Sequence, residues 1–97
     1  SYQRGWESKG KGTWERSYDW RSGYVGFVRE EGFDLTWGLM FDGVFVLYGQ
    51  RPDVFTIRDM ENWTTREQAM NLVDARVAEM ITAAEVRQVV RALEEMP

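Results

Sequence analysis

The dipeptide Asp42-Gly43 restricts the fold more than any other feature, because it separates two apolar runs that alternate with a period of two. A type I′ turn needs positive φ at both central residues, and Asp-Gly accepts this at low cost. The runs FDLTWGLMF and VFVLYG therefore predict a β-hairpin over residues 33–49. A two-residue turn sets three facing pairs, which are Phe41 with Val44, Leu39 with Val46 and Trp37 with Tyr48. We assign these side chains to the core face.

The opposite face of the hairpin carries Met40, Phe45 and Leu47, where water-facing residues are expected. A contiguous apolar patch on a protein surface is usually a binding site. We therefore predict that these three residues bind a protein partner or a second copy of the chain. The expected assembly is a homodimer or a hetero-complex formed through this face.

Four further segments have the pattern of strands. In residues 13–21, TWERSYDWR, one face is aromatic apart from Arg16 and the other face is polar. Turn signals rich in glycine or serine lie on both sides of this segment, at residues 9–12 and 21–23. The remaining predicted strands cover residues 3–8, 24–29 and 54–58.

The last third of the chain changes to a helical period. Thr64 and Glu67 form a capping-box signal, and an apolar stripe follows at steps of three and four residues. The stripe consists of Met70, Val73, Val77, Met80 and Ala84. A second capping box at Thr82 and Glu85 favours two helices, and the alternative is one long helix that bends near Thr82.

Strands followed by helices predict a single α+β domain over residues 1–97. We expect a four- or five-stranded antiparallel meander, followed by two C-terminal helices packed on one face. Residues 1–29 form a basic aromatic β arm, residues 30–63 an acidic hairpin with the last strand, and residues 64–97 the helical part. The predicted core contains Trp37, Leu39, Val46, Val73, Val77 and Leu93.

Charge is distributed unevenly along the chain. Residues 1–29 carry six Lys/Arg against three Asp/Glu, whereas residues 30–97 carry six against thirteen. Cations interleaved with aromatic rings are typical of single-stranded nucleic-acid sites, where charge follows phosphates and rings stack on bases. The candidates for such a site are Arg4, Trp6, Lys9, Lys11 and Arg16. The simpler interpretation places the aromatic residues in the core, because aromatic side chains are enriched in strands.

The composition argues against most catalysis. The chain has no histidine and no cysteine, which removes the commonest general base, the best nucleophile and the usual zinc ligands. Residues 5–12, GWESKGKG, come close to a phosphate-binding loop but end in Gly12 instead of Ser or Thr, and no helix pattern follows. We expect no catalytic residue, no cofactor and no metal.

The leading functional hypothesis is a non-enzymatic protein-binding module that occupies a partner's surface. Small inhibitors, adaptors and phage-type anti-defence proteins act in this way. The alternative is single-stranded nucleic-acid binding through the N-terminal arm. An enzyme that uses only carboxylates is a remote third hypothesis. We expect a cytoplasmic protein, since a chain without cysteine suits a reducing compartment. No apolar run is long enough to predict a membrane span.

Overall fold

The structure is a computed structural model that describes residues 5–97. Five strands precede two helices, in the order β1 (Glu7–Gly10), β2 (Thr13–Ser17), β3 (Tyr24–Glu31), β4 (Asp34–Phe41), β5 (Val44–Gln50), α1 (Ile57–Glu61) and α2 (Arg66–Glu94). All neighbouring strands are antiparallel, and the sheet order is β1-β2-β3-β4-β5. The predicted α+β class and meander are confirmed. The predicted first strand, residues 3–8, lies partly outside the described residues, and β1 begins at Glu7.

The Asp42-Gly43 turn has the predicted conformation. Asp42 and Gly43 have φ angles of 52° and 80°, as a type I′ turn requires. Lys11 and Gly12 repeat this pattern between β1 and β2, with φ angles of 52° and 73°. A side chain on Gly12 would collide with the carbonyl oxygen of Glu30, so glycine is required there for space as well as for φ.

β5 departs from the register that the turn alone would set. Beside the turn, Phe41 pairs with Val44 as predicted. Further along the strands, Met40 faces Phe45 and Leu39 faces Leu47. Val46 is therefore an extra residue and forms a β-bulge. Because a shift of one residue exchanges the two faces of a strand, Leu47 lies on the helix side of the sheet. The prediction that Leu47 shares the outer face with Met40 and Phe45 is wrong.

Two glycines favour the bulged register. The bulge sets Gly49 opposite Trp37, where a Cβ atom would collide with the indole ring. On the outer side, a Cβ atom on Gly38 would come within 2.7 Å of the ring of Phe45. The predicted register would have set the large Tyr48 side chain against Trp37 instead. The predicted pairing of Trp37 with Tyr48 and that of Leu39 with Val46 therefore do not form.

The core lies between α2 and the face of the sheet that carries Val28, Leu35 and Leu39. The fully buried apolar residues are Val28, Leu35, Leu39, Ala69, Val73 and Val77. Of the predicted core, Leu39, Val73 and Val77 are confirmed, and Trp37 packs against them while partly buried. Val46 and Leu93 are 50% and 62% exposed, so their assignment to the core is wrong.

The helical region divides differently from the prediction. The expected strand at residues 54–58 is replaced by α1, because Thr56 and Asp59 form a capping box that starts a helix at Ile57. The backbone N–H groups of Phe55 and Thr56 donate to the Asp59 carboxylate at 2.9 and 3.0 Å. The Phe55 bond is the main cause that lowers the pKa of Asp59.

α2 is continuous through the expected break. Thr82 does not cap a second helix, since its hydroxyl donates to the carbonyl of Ala78 within the helix at 3.1 Å. The N-cap of α2 is Thr65 with Gln68 as its capping-box partner, one residue later than predicted. At about 1.5 Å per residue, a helix of this length measures about 43 Å.

Arg51 connects the end of β5 to three other segments. Its guanidinium donates to the Glu30 carboxylate at 2.8 Å, to the carbonyl of Phe33 at 3.0 Å and to that of Thr64 at 2.8 Å. The same group lies 3.6 Å from the centre of the Trp63 ring. Because Arg51 is only 4% exposed, these contacts provide the partners that a buried cation needs.

The bulged register predicts that two alanine substitutions on neighbouring strands lower the free energy of unfolding by different amounts. We expect Leu39→Ala to lower the free energy of unfolding by about 2–5 kcal/mol, because it leaves a cavity in the core. Val46→Ala should change it by less than about 1 kcal/mol, because Val46 is half exposed. Urea denaturation of both variants measures the difference, and equal losses would contradict the bulge.

Arg51→Lys should destabilise the fold although the charge is kept. A lysine ammonium cannot reach three separate acceptors in the plane of a guanidinium, so at least one buried acceptor loses its partner. We expect a loss of about 1–3 kcal/mol in urea denaturation. Arg58→Lys in α1 is the matched control, because Arg58 is exposed and should change stability by less than about 0.5 kcal/mol. Equal effects at the two positions would show that Arg51 contributes only its charge.

Candidate functional site

The face of the sheet opposite α2 carries an apolar surface that no described element covers. Met40 and Phe45, predicted to bind a partner, face one another there. The strand register places three more residues on this face. Val25 pairs with Met40, and Phe27 and Tyr48 both pair with Gly38. We call Val25, Phe27, Met40, Phe45 and Tyr48 the outer patch.

Three aromatic rings of the outer patch support one another. The Phe45 ring contacts Phe27 and Tyr48 edge to face, with centroid distances of 6.1 and 5.4 Å. Gly38 leaves space for this ring between its neighbours. Phe45 and Tyr48 remain 44% and 57% exposed, so the cluster is ordered by its own contacts but open to solvent.

β5 forms an open edge beside the outer patch, interrupted by the bulge at Val46. It is the last strand of the sheet, and Val44–Gln50 contains no charged residue and no proline. Edge strands are commonly protected from pairing by such residues. Val44 and Val46 are 66% and 50% exposed along this edge. The edge and the outer patch together form one open apolar region, apart from the ion pair of Arg29 with Glu31 on β3.

The predicted nucleic-acid residues do not form one surface. Trp6 donates through Nε1 to Asp74 at 3.2 Å, and Arg16 forms an ion pair with the same carboxylate at 3.0 Å. Both therefore contact α2 on the helix side of the sheet. Lys9 pairs with Glu7 at the exposed end of the first hairpin, and Lys11 lies in its turn. Arg4 lies outside the described residues.

The other aromatic rings of the N-terminal arm are also engaged. Trp14 packs against the core and lies 4.7 Å from the Arg66 guanidinium, and Trp20 contacts Tyr24 at 5.4 Å. Stacking of bases requires open ring faces. The interpretation of the arm as part of the packed sheet fits these contacts better than a stacking platform does.

Asp74 is the centre of a polar cluster that lines a cleft of about 200 Å³. Besides Trp6 and Arg16, the Tyr18 hydroxyl donates to Asp74 at 2.7 Å. Burial, followed by the bond to Asp74, raises the pKa of Tyr18 well above its ordinary value, while Arg16 opposes this shift. The tyrosine therefore remains protonated and donates to the carboxylate. The cluster anchors the first two strands to α2, and it offers no free base.

No group of three or more Asp, Glu, His or Cys residues within the range 5–97 is placed to hold a metal ion. None of the helices described is long and apolar enough to cross a membrane. In residues 5–97, the side chains of the outer patch take no part in the core between the sheet and α2.

Comparison with known proteins returns no match to a family model, a curated protein or a solved structure. Any functional proposal for this chain must therefore start from its own surfaces.

The Asp74 cluster predicts a specific pH dependence of stability. The folded-state pKa of Tyr18 is raised above the value of about 10 that it has in an unfolded chain, so its contribution is present below about pH 10 and is lost above it. We expect the stability difference between the wild type and Tyr18→Phe to be constant up to about pH 9 and to shrink as the pH rises above about 10 in urea denaturation. Groups common to both proteins cancel in this comparison. A constant difference would contradict the role assigned to the Tyr18 hydroxyl.

Proposed function

We propose that this chain is a non-enzymatic protein-binding module, which acts by occupying a partner's surface with the outer patch. The observation that carries the proposal is the aromatic cluster on the side of the sheet away from α2, in which Phe45 and Tyr48 are exposed and Phe27 is half-buried. Exposed contiguous apolar surface of this kind usually marks an interaction site. A role as a small inhibitor or adaptor requires only such a surface. We expect this binding to take place in the cytoplasm.

The chemistry of the outer patch favours a protein over other ligands. Protein interfaces have an apolar centre rich in aromatic residues and methionine, surrounded by a polar rim. Phe45 and Met40 provide such a centre, and Arg29 with Glu31 lies on the same face of β3. A nucleic acid would require a row of cations, and Arg29 is already paired with an acid. Single-stranded nucleic-acid binding is therefore the weaker candidate.

The edge of β5 offers a second contact beside the outer patch. An extended segment of a partner can add a strand to an open edge, which gives affinity through backbone hydrogen bonds and specificity through side chains. A partner strand beside Val46 would bring its own side chains next to Phe45 and Tyr48. We therefore expect the partner to present an extended, apolar segment.

Replacing Tyr48 with glutamate tests the outer patch. Tyr48→Glu adds a charge that must be desolvated on binding, but Tyr48 is more than half exposed, so folding should be retained. We expect Tyr48→Glu to lower the amount of the partner protein captured from the source cell at least about tenfold relative to the wild type. Burial of one unpaired charge costs more than about 1.4 kcal/mol, which corresponds to this factor. Affinity capture with quantitative mass spectrometry measures this, and a thermal melt confirms folding.

Gln88→Glu provides the matched control, because it adds the same charge at an exposed position of α2 on the opposite side of the sheet. It should retain the captured protein. Equal capture by the wild type, Tyr48→Glu and Phe45→Glu would exclude the outer patch as the binding surface. Retention of a single-stranded oligonucleotide in place of a protein would favour the alternative function.

A further inference from the structure

α2 carries apolar side chains on two opposite sides. In its first part, Ala69, Val73 and Val77 face the sheet and are buried. Val86 follows Val77 by nine residues, which is about two and a half helical turns, so it lies on the opposite side. The same side continues through Val89, Val90 and Leu93, and Met96 follows just beyond the end of the helix; these four residues are 45–67% exposed. We call these five residues the outer stripe.

The sheet does not reach the end of α2. Every residue from 85 to 97 is exposed. This includes residues on the side of α2 that faces the sheet nearer the N-terminus of the helix. Helical segments of this length derive most of their stability from packing an apolar face against another element. The last turns of α2 have such a face, but no described part of the chain packs on it.

The molecule exposes more surface than a compact monomer of its mass. Its accessible surface is 7367 Å², whereas a monomeric protein of 11.4 kDa exposes about 5,800 Å². The radius of gyration is 16.8 Å, against about 12.5 Å for a compact domain of this length. The excess of about 1,600 Å² is spread over the whole molecule, and the exposed last turns of α2 contribute to it.

We infer that the outer stripe is a self-association site, on which the C-terminal turns of α2 from a second copy pack in antiparallel orientation. In this arrangement Val89 lies opposite Leu93 of the second copy, and Val86 lies opposite its Met96. The same pairs recur on the other side of a two-fold axis, so the interface is self-complementary and closed.

Charge favours the antiparallel orientation. Arg87 and Glu94 lie on the same flank of the outer stripe, seven residues apart. Antiparallel pairing therefore brings Arg87 towards Glu94 of the second copy, twice in each dimer. Glu79 precedes Val86 by seven residues and lies in line with the stripe. A parallel pair would set Glu79 against the same residue of the second copy, whereas the antiparallel pair leaves it beyond the end of the partner helix.

The outer stripe could also pack on the outer patch of a second copy, but that contact would not form a closed dimer. The stripe and the outer patch point in opposite directions, because α2 lies between the sheet and the stripe. A stripe packed on the outer patch of a second copy would leave that copy's own stripe facing away, so the contact would repeat without closing. Stripe against stripe gives a closed dimer in which the two sheets lie at opposite ends of the paired helix ends and both outer patches stay free. The inference therefore does not depend on the proposed function.

Light scattering on the full chain tests the dimer. We expect the wild type to have twice the 11.4 kDa mass of one chain at high concentration and to dissociate on dilution. Leu93→Glu should be monomeric at concentrations where the wild type is dimeric, while Gln88→Glu, on the other side of the helix, should remain dimeric. The fluorescence of the partly buried tryptophans, which lie near the sheet, should be unchanged in both variants. A monomeric wild type, or a dimer that Leu93→Glu leaves intact, would overturn the inference.

Cysteine cross-linking tests the orientation, because the chain has no cysteine of its own. Val90→Cys lies close to the two-fold axis and should form a disulfide-linked dimer under mild oxidation. Val86→Cys should not, because its two copies would be about 15 Å apart along the helix axis, beyond the reach of a disulfide. Equal cross-linking at both positions would indicate a parallel pair and overturn the antiparallel arrangement.

Discussion

The guanidinium of Arg51 holds together segments that are distant in sequence, and the position of α2 depends on it. It connects β5, the β3–β4 hairpin and the residue that precedes the N-cap of α2 through three hydrogen bonds. Asp74 has the corresponding role at another margin of the core. There Trp6, Arg16 and Tyr18 converge on a single carboxylate of α2. Within the described part of the chain, six buried apolar residues make a small core, as expected for a protein of this size. Two polar clusters at its margins fix the helix where apolar area alone would define its position poorly.

Both clusters act on the same side of the sheet, and this explains why the other side remains uncovered. Residues 5–97 contain a single long helix, and Arg51 and Asp74 direct it across β3 and β4. The N-terminal arm also turns towards α2, since Trp6 packs on the helix side. Nothing among residues 5–97 is left to cover Phe27, Phe45 and Tyr48. Their edge-to-face contacts and the space over Gly38 order them without a covering layer.

The sequence predicted the parts of the fold that local chemistry decides. Asp42-Gly43 correctly predicted a type I′ turn, and alternation in residues 13–21 predicted a strand that forms over its first part, Thr13–Ser17. The register beyond the turn depended on tertiary packing, because Gly49 had to lie opposite Trp37. The same bulge moved Leu47 out of the predicted site and brought Tyr48 into it. Phe27 was missed, although its alternation with Val28 already placed it on the face away from the core.

Local and global preferences also competed in the helical region. Val54 and Phe55 have strand propensity, but the capping box of Thr56 and Asp59 supplies hydrogen bonds that start a helix instead. Propensity describes single residues, whereas a capping box satisfies backbone donors that would otherwise remain unpaired. A capping signal is therefore stronger evidence than a short apolar run. The Thr82 signal failed because the helix already continued through it, and its hydroxyl found a carbonyl within the preceding turn.

The misplacement of Leu93 has a geometric cause. Helical period alone assigns an apolar residue to a stripe, but the stripe is buried only as far as the sheet extends. Strands of eight residues span about 26 Å, whereas α2 measures about 43 Å, so the helix must project beyond the sheet. Past that point the apolar side chains need not face the sheet, and from Val86 onwards they lie on the opposite side. The length of α2 thus separates two apolar surfaces, and each faces solvent in a different direction.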